Sequence, residues 1–238
     1  MSDRDFSLGR FRRPAPGSQP PYDAPAYGST RARHPKLPLV AIPTTLTEAS
    51  APRFDPAVFQ PQTDMSQRNG RAAMGERIIV AGRVTDEEGC PLRGAMLEIW
   101  QANSSGRYHH ARDQHDAPLD PNFEGRGRIF TDPEGRYSFV TVKPGAYPWR
   151  NHANAWRPIH IHFGLHGSGF AQRMITQMYF PGDPLLPLDP VFNSTADAAA
   201  RNRLIAVFDL DVTRPEWALG YRFDITLRGR AATAFEPA

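Results

Sequence analysis

Between residues 77 and 227 the chain sets short apolar runs between clusters of Gly, Pro, Asp and Asn, a rhythm that predicts strands and turns. Residues 77–85 (RIIVAGRVT) read as a strand followed by the turn Asp86-Glu87-Glu88-Gly89. In residues 95–101 (AMLEIWQ) apolar and polar positions alternate, the pattern of a half-buried strand. Residues 128–131 and 136–142, separated by Asp132-Pro133-Glu134-Gly135, predict a hairpin with favourable turn chemistry. Further strands are expected at 159–165, 175–180 and 221–227. Only residues 195–208 look helical, with Ser194 or Thr195 placed as the N-cap. The sum is an all-β chain: a β-sandwich core with long decorated loops and one short helix. It shows no internal repeat.

Residues 1–75 follow another pattern. Pro-rich polar stretches surround one short apolar run, residues 37–42 (LPLVAI), and no periodicity marks a complete core. Embedded apolar patches favour wrapping over other surface. We therefore expect an extended N-terminal arm over residues 1–75, packing on the core and on a partner chain, and a sandwich domain over 76–238.

Composition narrows the function classes. The 24 prolines and 19 glycines among 238 residues suit a turn-rich β protein. Net charge is +3, with Arg10, Arg12, Arg13, Arg31, Arg33 and Lys36 gathered near the N-terminus. No basic face with interleaved aromatics and no recognisable binding module accompanies that charge, so nucleic acid is not an expected partner. An anionic substrate or an acidic partner chain fits it as well as a plain basic surface does. The single cysteine, Cys90, excludes an intrachain disulfide framework and suits a reducing cytoplasm. The first residues carry charge without the apolar core of a signal peptide, and no run approaches the length of a membrane span. A cytoplasmic chain without membrane contact is expected, and the sequon Asn193-Ser194-Thr195 is then a chance match.

The chemistry starts at His160-Ile161-His162. On a strand, residues two apart point to one face with Cβ atoms roughly 6–7 Å apart, so two imidazoles so placed can share a metal. His-x-His also occurs on solvated strand faces, and the triplet alone does not decide. Arg157-Pro158 precedes it, setting a fixed cation nearby. No Cys pair or HExxH helix completes a zinc site, and no Asp or Glu stands in a clear relation to the two histidines. The loops offer tyrosines instead: Tyr108 in SSGRYHH and Tyr147 in KPGAYPWR. A phenol has a reference pKa of about 10, so only a strongly Lewis-acidic ion holds it as phenolate at neutral pH. Two His with two Tyr point to Fe(III). Either tyrosine alone reads better as a packed aromatic with a satisfied hydroxyl.

The stretches LEIWQANSSGRYHH, LDPNFEGRGR, TVKPGAYPWRN and WRPIHIHF resemble the intradiol ring-cleavage dioxygenases. Within that family the likeness is to the β chains of the branch acting on protocatechuate. It runs from about Tyr27 to Glu236, including the arm segment YGSTRARHPKLPLVAIPTTLTEASAPRF and the ending YRFDITLRGR. The resemblance implies that Tyr108, Tyr147, His160 and His162 bind a non-haem Fe(III), with Tyr147 leaving when substrate arrives. It implies that Arg157 and Gln177 adjoin the reacting ring, and that Tyr27, Trp149 and Val191 line the substrate pocket. Val191 stands where isoleucine is more usual, so the wall is expected to be slightly retracted. The arm before Tyr27 and residues 60–74 depart most from the family pattern.

As a β chain it is expected to cleave protocatechuate with O₂ to 3-carboxy-cis,cis-muconate, in a hetero-oligomer with a homologous α chain. A catechol or hydroxyquinol dioxygenase is the neighbouring reading, but those members carry a helical N-terminal dimerisation segment where this arm is Pro-rich. From another class, GRVTDEEGCPLRGAMLEIWQ and TDPEGRYSF resemble transthyretin-like binding modules, which need no tyrosines and histidines gathered at one point.

Overall fold

The computed structural model describes residues 14–40, 54–150, 153, 156–166 and 173–237. Arg10, Arg12 and Arg13, and Ala41 and Ile42 of the apolar run, lie outside them. A small hairpin of β1 (Gln67–Arg68) and β2 (Arg71–Ala72) turns at Asn69-Gly70, both in the left-handed region (φ 51° and 75°) that this tight turn requires.

The frame is a two-sheet sandwich. Strands β3 (Arg77–Thr85), β4 (Met96–Trp100), β5 (Arg126–Phe130) and β6 (Arg136–Val142) are followed by a short pair, β7 (Tyr147–Pro148) and β8 (Trp156–Arg157). Then come β9 (His160–His166), β10 (Arg173–Tyr179), β11 (Val207–Phe208), β12 (Leu219–Arg222) and β13 (Ile225–Thr226). One sheet runs β10-β9-β4-β5, antiparallel throughout. In the other, β3 is central: β6 pairs antiparallel on one side, while β12 and then β13 pair parallel on the other.

Alternating side chains of both sheets fill the space between them. Ile78, Val80 and Val84 of β3, with Tyr137 and Phe139 of β6, meet Leu97, Ile99, Ile129, Ile161 and Leu165 opposite. Phe163 bridges the layers, its ring 5.9 Å from Tyr137, 6.0 Å from Phe139 and 5.2 Å from Phe223. Truncating such a ring to alanine costs about 3–5 kcal/mol. Strand β9 is buried along nearly its whole length, so something must also cover the face opposite this core. Loops and both chain ends cover it. From the N-terminal region Met65 joins the main core, and Ala24 and Tyr27 are buried with Val191.

Three expectations are corrected. Strands β5 and β6 do not form a hairpin: β5 pairs with β4 and β6 with β3, so the connection crosses between sheets. The turn itself forms, with Asp132 Oδ1 accepting from the Glu134 and Arg136 amides, but turn chemistry does not choose the strands' partners. The helix expected over 195–208 is confined to Ala198–Asn202 and capped by Asp197, whose carboxylate accepts from the Ala199 amide. Beyond it the chain is extended, because Leu204 and Ala206 exchange backbone hydrogen bonds with Tyr179 instead of continuing a helical ladder. Nor does that helix stand alone: Thr30–Arg33, Leu186–Leu188 and Pro190–Asn193 are further single turns. The strand expected over 221–227 is split into β12 and β13, where the Phe223 amide bonds to Ala81 O.

Candidate metal centre

The outer face of the β10-β9-β4 sheet supplies half of the site. Register places Trp100 and Gln177 either side of His162, and Tyr179 beside His160, all on the face away from the core. Trp100 lies flat on the His162 ring, 4.8 Å between centroids at 7°.

The tyrosines arrive on two loops that grip each other. Where β4 ends, the Asn103 side chain accepts from the Ser105 and Arg107 amides and donates to Pro118 O, shaping the turn that leads to Tyr108. The Gly145 amide bonds to Asn103 O at 2.9 Å, holding the second loop against the first. Two glycines make this approach possible. A Cβ on Gly106 (φ 78°) would collide with Ala146 O, and one on Gly145 would sit 2.5 Å from Ser104 O. Tyr147 then pairs with Arg157 across β7 and β8.

Four donor atoms form a contiguous row. Tyr147 Oη lies 3.3 Å from His160 Nε2, which is 3.2 Å from His162 Nε2, which is 3.2 Å from Tyr108 Oη. The other ring nitrogens are occupied. His160 Nδ1 donates to Pro158 O at 2.7 Å, and His162 Nδ1 donates to Glu236 Oε2 at 3.0 Å. With the proton on Nδ1, both Nε2 atoms present lone pairs to the shared point. Burial, then Arg157 and His162, hold His160 well below the usual imidazole pKa, which keeps it neutral. Burial pushes both tyrosines up, Tyr108 strongly. Without a cation they are phenols that donate to the two Nε2 atoms; beside a strong Lewis acid they become phenolates.

That donor set fits a trivalent ion. Two neutral imidazoles and two phenolates leave +3 − 2 = +1 on a ferric ion, whereas a divalent ion would be fully neutralised. Among the described residues no group of three or more His, Cys, Asp or Glu could hold a metal, so a metal at this point would need the tyrosines as donors.

Arg157 is 3% exposed and held on several sides. Its Nε donates to Asp189 Oδ1 at 2.8 Å, and its Nη2 donates to Gln177 Oε1 at 2.6 Å and Tyr179 Oη at 3.3 Å. Burial alone would lower its pKa, but the Tyr147 and Tyr179 oxygens and the Asp189 carboxylate raise it, so the guanidinium stays charged. Gln177 spends its carbonyl on Arg157 and Tyr179, and its buried Nε2 makes no hydrogen bond of ordinary geometry. It does help, after His162, to pull Glu236 down to about 2 against the opposing effect of burial.

The three expected pocket residues come together. Tyr27, Trp149 and Val191 pack with Ala24, Tyr27 edge-on to Trp149 at 4.9 Å. Trp149 in turn lies under Arg157, whose guanidinium carbon is 5.0 Å from the ring centroid. Arg33 Nη2 donates to Tyr27 Oη at 2.7 Å.

Sequence reasoning missed Glu236, Asp189, Tyr179 and Trp100. Trp100 and Tyr179 were within reach, since cross-strand alternation places them on the histidine face. Asp189 begins the segment Asp-Pro-Val-Phe, a legible helix start, but its pairing with Arg157 leaves no local mark. Glu236 is 74 residues from His162 and no spacing announces it.

The chain matches two family descriptions: "Dioxygenase" over residues 49–229 and "Protocatechuate 3,4-dioxygenase beta subunit N terminal" over residues 11–45. It belongs to the intradiol ring-cleavage dioxygenases, enzymes that open an aromatic diol between its hydroxyl-bearing carbons and, as a family, use iron. It is 54% identical to the protocatechuate 3,4-dioxygenase beta chain of Burkholderia cepacia over 92% of this chain and 94% of that one. The protocatechuate 3,4-dioxygenase alpha chain of Pseudomonas putida is 29% identical over 84% of this chain and 98% of its own length. Among solved structures, 3-chlorocatechol 1,2-dioxygenase of Rhodococcus opacus superposes with a TM-score of 0.54 at 26% identity, covering 74% of this chain and 69% of that one. No helix among the described residues is long and apolar enough to cross a membrane.

Proposed function

We propose that this chain is the iron-bearing β subunit of a two-chain enzyme that cleaves protocatechuate with O₂ to 3-carboxy-cis,cis-muconate. The non-haem Fe(III) is held by Tyr108, Tyr147, His160 and His162. The observation that carries this reading is the row of four donor atoms spaced 3.2–3.3 Å apart, with both Nδ1 protons pinned away from it. The likeness to the B. cepacia beta chain, and the match of the N-terminal residues to that branch, support protocatechuate over catechol or hydroxyquinol. The likeness to both beta and alpha chains supports the α partner. A transthyretin-like binding module has no use for such a row.

Bound there, ferric iron supplies the Lewis acidity that makes phenolic oxygens give up their protons. The protein's own groups do the rest. Tyr147 would be one of the residues holding the ion; burial favours its phenol form, so its Oη would take and keep a proton from one diol hydroxyl. Arg157, aimed by Asp189, Gln177 and Tyr179, stabilises negative charge developing on the ring. Gln177 Nε2 offers a buried donor to an oxygen of the reacting ring. Tyr27, Trp149 and Val191 form an apolar wall that orients the ring and excludes water. Valine at 191 leaves that wall one methylene short of isoleucine.

The test is metal analysis and oxygen uptake on the β chain alone and on the co-expressed pair, with protocatechuate and with catechol. Stoichiometric iron, red-brown colour and protocatechuate turnover by the pair are expected, with the lone chain poorly soluble or inactive. Stoichiometric zinc without iron, or a clear preference for catechol, would overturn the reading.

A further inference from the structure

The two histidines of the centre are oriented by unlike means. His160 donates Nδ1–H to Pro158 O, two residues back on its own strand approach, so its ring is fixed by local backbone. His162 lies mid-strand, and its Nδ1 partner is Glu236, brought from the far end of the chain. Trp100 sets the plane of the His162 ring by stacking, but stacking leaves rotation within that plane free. One in-plane hydrogen bond removes that freedom and determines where Nε2 points.

The segment that carries Glu236 is built to hold still. The Thr233 amide donates to Thr226 O on β13, and Thr176 Oγ1 on β10 donates to Ala234 O at 2.6 Å. The Glu236 amide then donates to Ile175 O at 2.7 Å. From the other end of the chain, the Gln19 side-chain amide grips the same tail twice. Its Nε2 donates to Thr233 O at 3.1 Å and its Oε1 accepts from the Phe235 amide at 2.9 Å. Tyr22 stacks on Phe235, 6.0 Å between centroids.

We infer that Glu236 is the positioning residue for the metal ligand His162, and that the N-terminal arm holds it in place through the Gln19 clamp on the C-terminal tail. This rests on the reading of the site as a ferric centre. The carboxylate fixes the tautomer and in-plane direction of His162 and increases its donor strength, as acceptors behind metal-bound imidazoles do. The clamp ties together residues more than two hundred positions apart, so arm and tail form one support for a ligand that neither of them contains.

The experiment uses the co-expressed holoenzyme and the variants Glu236→Ala, Glu236→Gln and Gln19→Ala. It reads iron retained against a competing chelator and the visible absorption of the substrate-free protein. Glu236→Ala should weaken iron retention about 10–100-fold and shift the absorption band. Glu236→Gln keeps an acceptor oxygen without its charge and should lose less. Gln19→Ala should change both readouts in the same direction as Glu236→Ala, by a smaller factor. If Glu236→Ala does not fold, Glu236→Gln and Gln19→Ala decide. Wild-type retention and an unchanged band in Glu236→Gln and Gln19→Ala would overturn the inference while iron in the wild type left the ferric reading intact. A wild type without iron would instead overturn that reading.

Discussion

Asp189→Asn tests how the site pays for its buried cation. In the folded protein Arg157 and Asp189 are 3% and 0% exposed and 2.8 Å apart, a directly hydrogen-bonded buried ion pair. Breaking a buried pair by removing one partner costs about 3–5 kcal/mol, because the survivor stays desolvated and uncompensated. Asparagine keeps a single oxygen, whereas Arg157 Nε donates to Oδ1 and the Phe192 amide to Oδ2, so its NH2 must face one of those donors and the loss is at least the low end, about 3 kcal/mol. For a chain of this length each kcal/mol moves Tm by about 2–4 °C, giving a fall of roughly 6–12 °C. Scanning calorimetry of the co-expressed pair at fixed concentration measures it. The control is Asp209→Asn, which weakens the Arg222–Asp209 pair at 2.6 Å; that pair is open to water, and its loss should leave Tm within scatter. An unchanged Tm in Asp189→Asn would show that the charge of Arg157 is balanced elsewhere.

Replacing His160 or His162 by Ala leaves three donors and should remove most bound iron, measured by metal analysis. Tyr147→Phe should retain iron, shift the visible band and slow substrate binding in stopped-flow traces. Arg157→Lys keeps the charge but cannot reach Asp189, Gln177 and Tyr179 at once, so turnover should fall about 10²–10³-fold with iron content intact; unchanged oxygen uptake would remove its assigned role. At alkaline pH, Tyr137 adds a stability loss of its own. Burial, then Asp224, holds its pKa well above the ordinary value, so the unfolded chain ionises first as pH rises past about 10. The stability that Tyr137 contributes is full below pH 10 and falls by up to about 1.4 kcal/mol per pH unit above it. Denaturant titrations at pH 9, 10 and 11 should show a shallower fall in Tyr137→Phe.

The sandwich was readable because short apolar runs stand between clusters of turn residues, and strand 77–85 has the bounds expected of it. The two histidines declared themselves through a period of two on one strand. The tyrosines, by contrast, lie 39 positions apart; their loop placement and phenolate chemistry suggested them, and family likeness, not spacing, fixed them as a set with the histidines. The same holds for Tyr27, Trp149 and Val191, which meet only after the arm folds back. The errors have physical causes. Asp-Pro-Glu-Gly specifies a turn but not whether the strands beside it share a sheet. The run Leu204 to Phe208 suits a helix and a strand equally, and backbone bonds to Tyr179 decide in favour of extension. The pairings of Glu236 with His162 and of Asp189 with Arg157 could not be found, since a contact formed by chain return has no signature in the order of residues.

The contact between Gly106 and Gly145 has a consequence for how this centre tolerates change. The two loops meet backbone to backbone, so main-chain contact sets how closely the segments bearing Tyr108 and Tyr147 approach. Alanine at either glycine would act as a wedge between the loops, widening the gap between the two oxygens while leaving both tyrosines and both histidines in the sequence. Such a variant would keep both histidines and both tyrosines and still hold the two phenol oxygens apart.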